Sequence, residues 1–231
     1  MSPLLISLLT AFLASAINFF LGIGLAYIVM NMKKGRSLVD GFLTLSMVLP
    51  PTVVGFFLLI ILGKNSIFGK FLATFGLSVI FTPAAAVISA VVVSLPIMYR
   101  TSLGAFEQVS EDILSAAKTL GISRWRVFWK VLIPLSLPGL LSGLILTFAR
   151  ALGEFGATIM IAGNIPRKTQ TMSTAIYSAV QAGNRTLAFK WSIIIVFISF
   201  ISMILVNSLA QKFNRVNWYD RNKHKKTNWK I

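Results

Sequence analysis

The sequence predicts an all-α polytopic membrane protein with about five transmembrane helices. Three observations carry that expectation. Hydrophobic residues make up 56% of the 231 positions and charged residues only 12%, against about 25% charged in a soluble domain. Five separate stretches are apolar over the roughly 20 residues a helix needs to cross a bilayer. The basic residues also sort to one side once those stretches are laid alternately across the membrane.

The first span covers about residues 3–31. No charged side chain precedes Lys33, no basic stretch opens the chain, and the run exceeds the roughly 7–15 apolar residues of a cleavable signal. The second span, about 41–63, contains Pro50-Pro51, which removes backbone donors and should kink it. The stretch 71–81 is apolar but short and holds Gly76. It reads as interfacial, with a sixth span as the alternative. The third span covers about 82–101, the fourth 135–158 and the fifth 191–211. Lipid offers the backbone no hydrogen-bond partner, so each is expected to be helical. The whole chain, 1–231, is expected to be one transmembrane domain ending in a basic tail, 212–231.

Lys33, Lys34 and Arg36 follow the first span. Arg100, Lys118, Arg124, Arg126 and Lys130 lie between the third and fourth, and seven more basic residues occupy the tail, from Lys212 to Lys230. These fifteen share one side. The other side holds six: Lys64, Lys70, Arg167, Lys168, Arg185 and Lys190. The positive-inside rule places the N-terminus outside and the tail in the cytoplasm, in a multi-pass cell-membrane protein. Basic loops account for the net charge of +16, so the bilayer and not nucleic acid is the expected partner. There is no cysteine, and the lone His224 makes no metal site. The spans hold no catalytic cluster and the chain has no G-x-x-x-x-G-K-[ST] phosphate loop. No catalytic residue and no cofactor is therefore expected on this chain.

One loop, about 108–130, is richer than its neighbours. Val109, Ile113, Ala116, Ala117 and Leu120 recur at spacings of three and four, which marks one apolar helix face. Ser110 is a candidate N-cap. Glu111 and Asp112 follow it and Lys118 lies near the end, matching the helix dipole. Gly121 is a candidate left-handed stop. A basic-aromatic segment follows, with Arg124, Trp125, Arg126 and Trp129, before Pro134 and Pro138 mark re-entry into the membrane. From the residues alone, two readings stand: a helix lying on lipid headgroups with tryptophan anchors, or a docking element for a cytoplasmic protein.

The stretch resembles the "EAA" loop of ABC importer permeases. Ala116-Ala117, three residues, Gly121, nine residues and then Val131-Leu132-Ile133-Pro134 match its spacing. Ser115 stands where the family often has Glu, and Val131 and Ile133 replace Ile and Leu. "LPPTVVGFFLL" (49–59) and "FARALGEFGATIMIAGNIPRKTQTMSTAIY" (148–177) are similar to the permease subunit of molybdate/tungstate importers. Sulfate permeases are close, but carry Tyr after the Gly-Glu pair where this chain has Phe155. The resemblance covers nearly the whole chain. It implies a homodimer forming one pathway, a separate cytoplasmic ATPase subunit that carries the ATP and Mg, and an extracytoplasmic molybdate/tungstate-binding protein. It also implies that Glu111, Asp112, Ser115, Ala116, Ala117, Gly121, Arg124 and Arg126 couple to the ATPase.

Candidate pathway residues are Pro50, Pro51, Thr52, Arg150, Glu154 and Thr158. Arg150 and Glu154 are spaced to pair at i and i+4, and intramembrane charges are costly enough to imply a role. The pair is either a structural brace or gate, or Arg150 attracts the anion directly. Pro50-Pro51 either frees backbone groups to line a path or only kinks the span, and Gly55 permits close helix packing. The function expected is import of molybdate or tungstate, with sulfate as the alternative substrate. An ion-coupled secondary transporter is the other class, disfavoured by a single intramembrane acid and no clear internal repeat.

Overall fold

The computed structural model describes residues 1–76 and 78–227, with side chains through 208 except that of 118. The tail's basic side chains and Lys118 lie outside the described residues. Two long parallel helices form the spine, α1 (Pro3–Met30) and α5 (Pro83–Glu107). Each carries proline in its first turn, where the missing N–H costs nothing. Asn18, fully buried, donates from Nδ2 to the Val91 carbonyl at 3.1 Å and to Ser94 Oγ at 2.8 Å. One turn on, Gly22 lies against Met98, so the contacts advance in the same direction along both helices. Pro96 sits inside α5 without ending it.

α8 (Ile133–Leu152) runs antiparallel to this pair. Ser136 donates to the Ala105 carbonyl and Gly143 lies against Thr101. α11 (Arg185–Thr227) flanks α1 and α8 and is the least buried of the long helices. Small residues make the interfaces: Ala11, Ala14, Ala26, Ala85, Ala86 and Ala90 are fully buried. Large side chains such as Phe12, Phe20, Phe57 and Phe197 point outward. That inversion of a soluble core suits lipid, where helices gain by close backbone approach and not by hiding leucine from water.

The second expected span is not one helix. α2 (Arg36–Val48) and α3 (Pro51–Leu62) meet at a 110° bend. Pro50 and Pro51 cannot donate, and a proline forces the residue before it out of the helical region; Leu49 and Pro50 are extended at ψ 139° and 134°. Asp40 meets Tyr99, Ser46 meets Val92, and Leu58 joins the cluster around Ala85 and Ala86. The pair thus advances along most of α5 as one broken crossing.

The fourth span also differs. It begins at Arg124, ten residues before Pro134: α7 (Arg124–Val127) enters a π turn at Phe128–Leu132 and continues into α8. The Ile133 N–H reaches the Phe128 carbonyl five residues back, and this wide turn carries the helix past Pro134, which has no N–H to give. The span stops early, at Leu152, and resumes as α9 (Gly156–Ile161). The third and fifth spans are longer than expected, reaching Glu107 and starting at Arg185. α4 (Ile67–Thr74) has eight residues, with Phe68 and Phe71 exposed. It suits an interface and is too short to cross, so the described residues hold no sixth span. α6 (Glu111–Thr119) lies in the loop after α5, and α10 (Met172–Gln181) precedes α11.

The fold gives one sharp packing test. A Cβ on Gly55 would come within 2.7 Å of the Ala157 Cα and 2.9 Å of the Met160 Cβ, whereas one on Gly24 would meet nothing within 4 Å. Gly55→Ala should cost about 1–3 kcal/mol through overpacking, and Gly24→Ala should change little. Thermal unfolding of both variants in detergent measures the difference.

Candidate functional site

Two broken helices stop at the same depth. Gly156, the first residue of α9, lies against Pro51 and Thr52, the first residues of α3, and Gly55 lies against Ala157. Between α8 and α9, Gly153 and Phe155 leave helical geometry, Phe155 with φ −128° and ψ −55°. Arg150 and Glu154 span this gap, so they pair across the end of a helix and not along one continuous helix. Arg150 Nη1 donates to Glu154 Oε2 at 2.8 Å. The other carboxylate oxygen accepts the Ala157 N–H at 2.8 Å. Glu154 therefore caps α9 while holding the last turn of α8.

The two charges face different surroundings. The Glu154 side chain is 2% exposed and that of Arg150 is 33% exposed. Arg150 lines a cleft of about 420 Å³ with Ser46, Leu49, Pro51, Val93 and Ile97. The carboxylate is turned inward onto a backbone donor and the guanidinium outward, so the pair presents its positive end to the cleft. A brace and an anion-facing cation are compatible in this geometry. Pro50 and Thr52 are exposed at the start of α3 beside the cleft. Thr158 is elsewhere: it is buried, with its hydroxyl 2.8 Å from that of Ser89. A larger groove of about 620 Å³ between α1, α8 and α11 is lined by Phe12, Phe19, Phe148 and Phe197. Its serines, Ser15 and Ser202, donate to carbonyls of their own helices, leaving an apolar wall suited to acyl chains and not to an anion.

At the α6 end the local expectations hold. Ser110 Oγ accepts the Asp112 N–H, and Gly121 has φ +69°. The Ile122 N–H reaches the Ala117 carbonyl, the six-to-one bond of a glycine-stopped helix. Glu111, Asp112, Ser115 and Ala116 are exposed, as are Ile113 (46%) and Leu120 (77%). Among the described side chains of α6, Ala117 alone is buried, at 7%, and so seats α6 on its own chain. Arg124 and Arg126 are exposed at the start of α7.

Several groups were not legible in the sequence. Asp40 accepts from the Tyr99 hydroxyl at 2.8 Å and pairs with Arg100 at 3.0 Å, and Arg36 pairs with Glu107. These bonds fasten α2 to α5 near the α6 end, and no sequence spacing announces them. α10 begins inside the bundle, where Ser7 Oγ accepts the Met172 N–H at 2.8 Å. Thr171 caps that helix through Thr174 N–H, a T-x-x-T signal that could have located its start. At the opposite end from α6, the Met1 ammonium lies on the Arg167 carbonyl. Arg167 therefore shares an end with the N-terminus.

The Arg150–Glu154 geometry predicts an asymmetric double-mutant cycle. Arg150→Met leaves a buried carboxylate without its cation and should cost about 3 kcal/mol. Glu154→Gln should cost less, because the partly exposed guanidinium stays hydrated from the cleft. The double variant should recover much of the Arg150→Met loss. Denaturation in detergent measures this, and a double variant no more stable than Arg150→Met rules out the brace.

Comparisons with known proteins agree with this architecture. Residues 18–215 match the family described as "Binding-protein-dependent transport system inner membrane component". YvgM of Bacillus subtilis (strain 168), provisionally named a molybdenum transport system permease protein, is 44% identical over 89% of this chain and 91% of its own. The molybdenum transport system permease protein ModB of Escherichia coli (strain K12) is 40% identical over 90% and 92%. The sulfate transport system permease protein CysT of the same organism is 35% identical over 91% of this chain and 76% of its own. Among solved structures, a chain of the MetNI methionine ABC transporter in inward-facing conformation shares the fold, with TM-score 0.64 and 16% identity over 88% of this chain and 93% of that one. With a family match over most of its length and relatives at 40–44% identity, this chain belongs to the family of binding-protein-dependent transport system inner membrane components.

Proposed function

We propose that the chain is the translocating subunit of an ATP-driven importer of molybdate or tungstate. The observation that carries this reading is the 40–44% identity to molybdenum transport permeases over about nine-tenths of both chains. The sulfate permease, at 35%, makes sulfate the second reading. Two copies would face each other across the clefts that hold Arg150. The guanidinium then offers a tetrahedral oxyanion a favourable field in a mostly apolar wall, attractive enough to admit it and weak enough to release it. ATP and Mg belong to a separate cytoplasmic subunit, and an external binding protein delivers the anion.

α6 and the Gly121 turn are the proposed contact with that ATPase. The helix is properly capped and stopped, yet Ile113 and Leu120 lie uncovered in the single chain. A partner groove that received them would remove apolar surface from water. Closure of two ATPase subunits would then move the docked helices and shift the spans between inward- and outward-open states. The N-terminus and Lys168 would lie outside and α6 in the cytoplasm, following the split of basic residues.

Two measurements test this reading. Ala116→Trp adds bulk on the exposed face of α6, and Gly121→Val puts a branched residue at positive φ, where it is strained. Both variants should insert at normal levels, lose co-purification of the ATPase and lose ATP-driven molybdate uptake in proteoliposomes. Normal uptake in both would remove the coupling assignment. Single cysteines replacing Arg124 and Lys168 in this Cys-free chain should react with an impermeant thiol reagent in intact cells only at 168. The reverse pattern would invert the topology.

A further inference from the structure

α7 and the π turn carry a surface separate from the α6 contact, and its geometry gives Arg124 and Arg126 a different role from the ATPase coupling that the resemblance implies. The helix from Arg124 to Leu152 is continuous over 29 residues, about 43 Å at 1.5 Å per residue. That exceeds a hydrocarbon core of about 30 Å, so its first turns must lie outside the core. Aromatic contacts fix the level. The Phe128 ring packs 4.5 Å from Tyr27, one turn before α1 ends, and 6.3 Å from Phe106, at the end of α5. Phe128 thus marks where the apolar bundle closes.

Trp125 stacks on Phe128 at 6.0 Å, and Trp129 meets the Phe128 edge at 5.1 Å and Trp125 at 5.6 Å. Both indoles are held on their inner side, yet Trp125 is 69% exposed and Trp129 51%. Arg124, Arg126 and Lys130 are exposed around them, and none joins an ion pair among the described residues. Lys33, just past α1, lies near the same level. We infer that α7 and the π turn form a phospholipid-headgroup anchor, with Trp125 and Trp129 at the bilayer interface and Arg124, Arg126 and Lys130 on the phosphates of anionic lipid.

Three physical arguments select lipid over a protein occupant. Indole rings favour the headgroup layer, where one edge is apolar and the other wet. Basic residues close to an anionic leaflet gain roughly fivefold each in association. The segment is also continuous with a membrane-crossing helix, so this face cannot leave the bilayer surface without unwinding α8. α6 differs by opening on Glu111 and Asp112, which an anionic surface repels. The Gly121 turn therefore separates an acidic half, free to dock, from a basic half held on the membrane.

The test uses the full chain in vesicles of phosphatidylcholine and phosphatidylglycerol. A variant that keeps only Trp129, with phenylalanine at 125, 191, 218 and 229, reports on the site by fluorescence. Bromination on the upper acyl chain should quench it strongly. Brominated phosphatidylglycerol should do so at about fivefold lower mole fraction than brominated phosphatidylcholine. Arg126→Gln with Lys130→Gln should remove most of that preference while leaving quenching by phosphatidylcholine intact, and molar salt should do the same. In the otherwise native chain, the same two glutamines should lower the anionic lipid that co-purifies, which checks the result without the tryptophan replacements. Equal quenching by the two lipids overturns the anionic site. Quenching by aqueous iodide but by neither lipid overturns the anchor altogether and leaves the face to a protein partner.

Discussion

A helix that stops inside a bilayer leaves carbonyls and amides with no water to turn to, and this chain stops two of them side by side. Glu154 is the group that makes the arrangement tenable. One of its oxygens takes an orphaned amide at the start of α9, and the other takes the Arg150 guanidinium from the last turn of α8. The carboxylate is buried, so removing either partner would leave a polar group uncompensated. The start of α3 then seats on α9 through Gly55, where an added Cβ would come within 2.7 Å of the Ala157 Cα, and through the closely approached Gly156. The cleft, the exposed start of α3 and the outward-facing cation all follow from that one capped break.

The broken crossing has its halves attached to different neighbours. α2 is fastened to α5 by Asp40 with Tyr99 and Arg100, and by Arg36 with Glu107. α3 is packed against α9. At the extended Leu49-Pro50 link, Leu49 donates back to Leu45 and the Pro50 carbonyl accepts from Val53 and Val54, so each bond stays within its own half, while Pro50 and Pro51 have no N–H to give. Relative motion of α5 and α9 would therefore be absorbed at this link with little loss of bonding, beside the Arg150 cleft. Elsewhere the alanine-lined contacts of α1 and α5, pinned by Asn18, give a closely packed spine.

Much of this was legible beforehand because it is set by local chemistry. Five apolar stretches, a glycine stop at 121, a serine cap at 110 and a charge pair at 150 and 154 each declare themselves within a few residues. Composition and spacing therefore determined an all-helical membrane protein, the family resemblance and the character of the α6 loop. Tertiary structure decided what local chemistry could not. Pro50-Pro51 signalled a kink, but its size depended on α3 finding a seat on α9. The i and i+4 spacing at 150 and 154 implied one helix, but the helix ends between them because Glu154 has a better bond to make at the next helix. Ala116 and Ala117 are the same residue in sequence. Only packing turns one outward and the other against its own chain, because burial is a property of the neighbours that surround a side chain and not of the side chain itself.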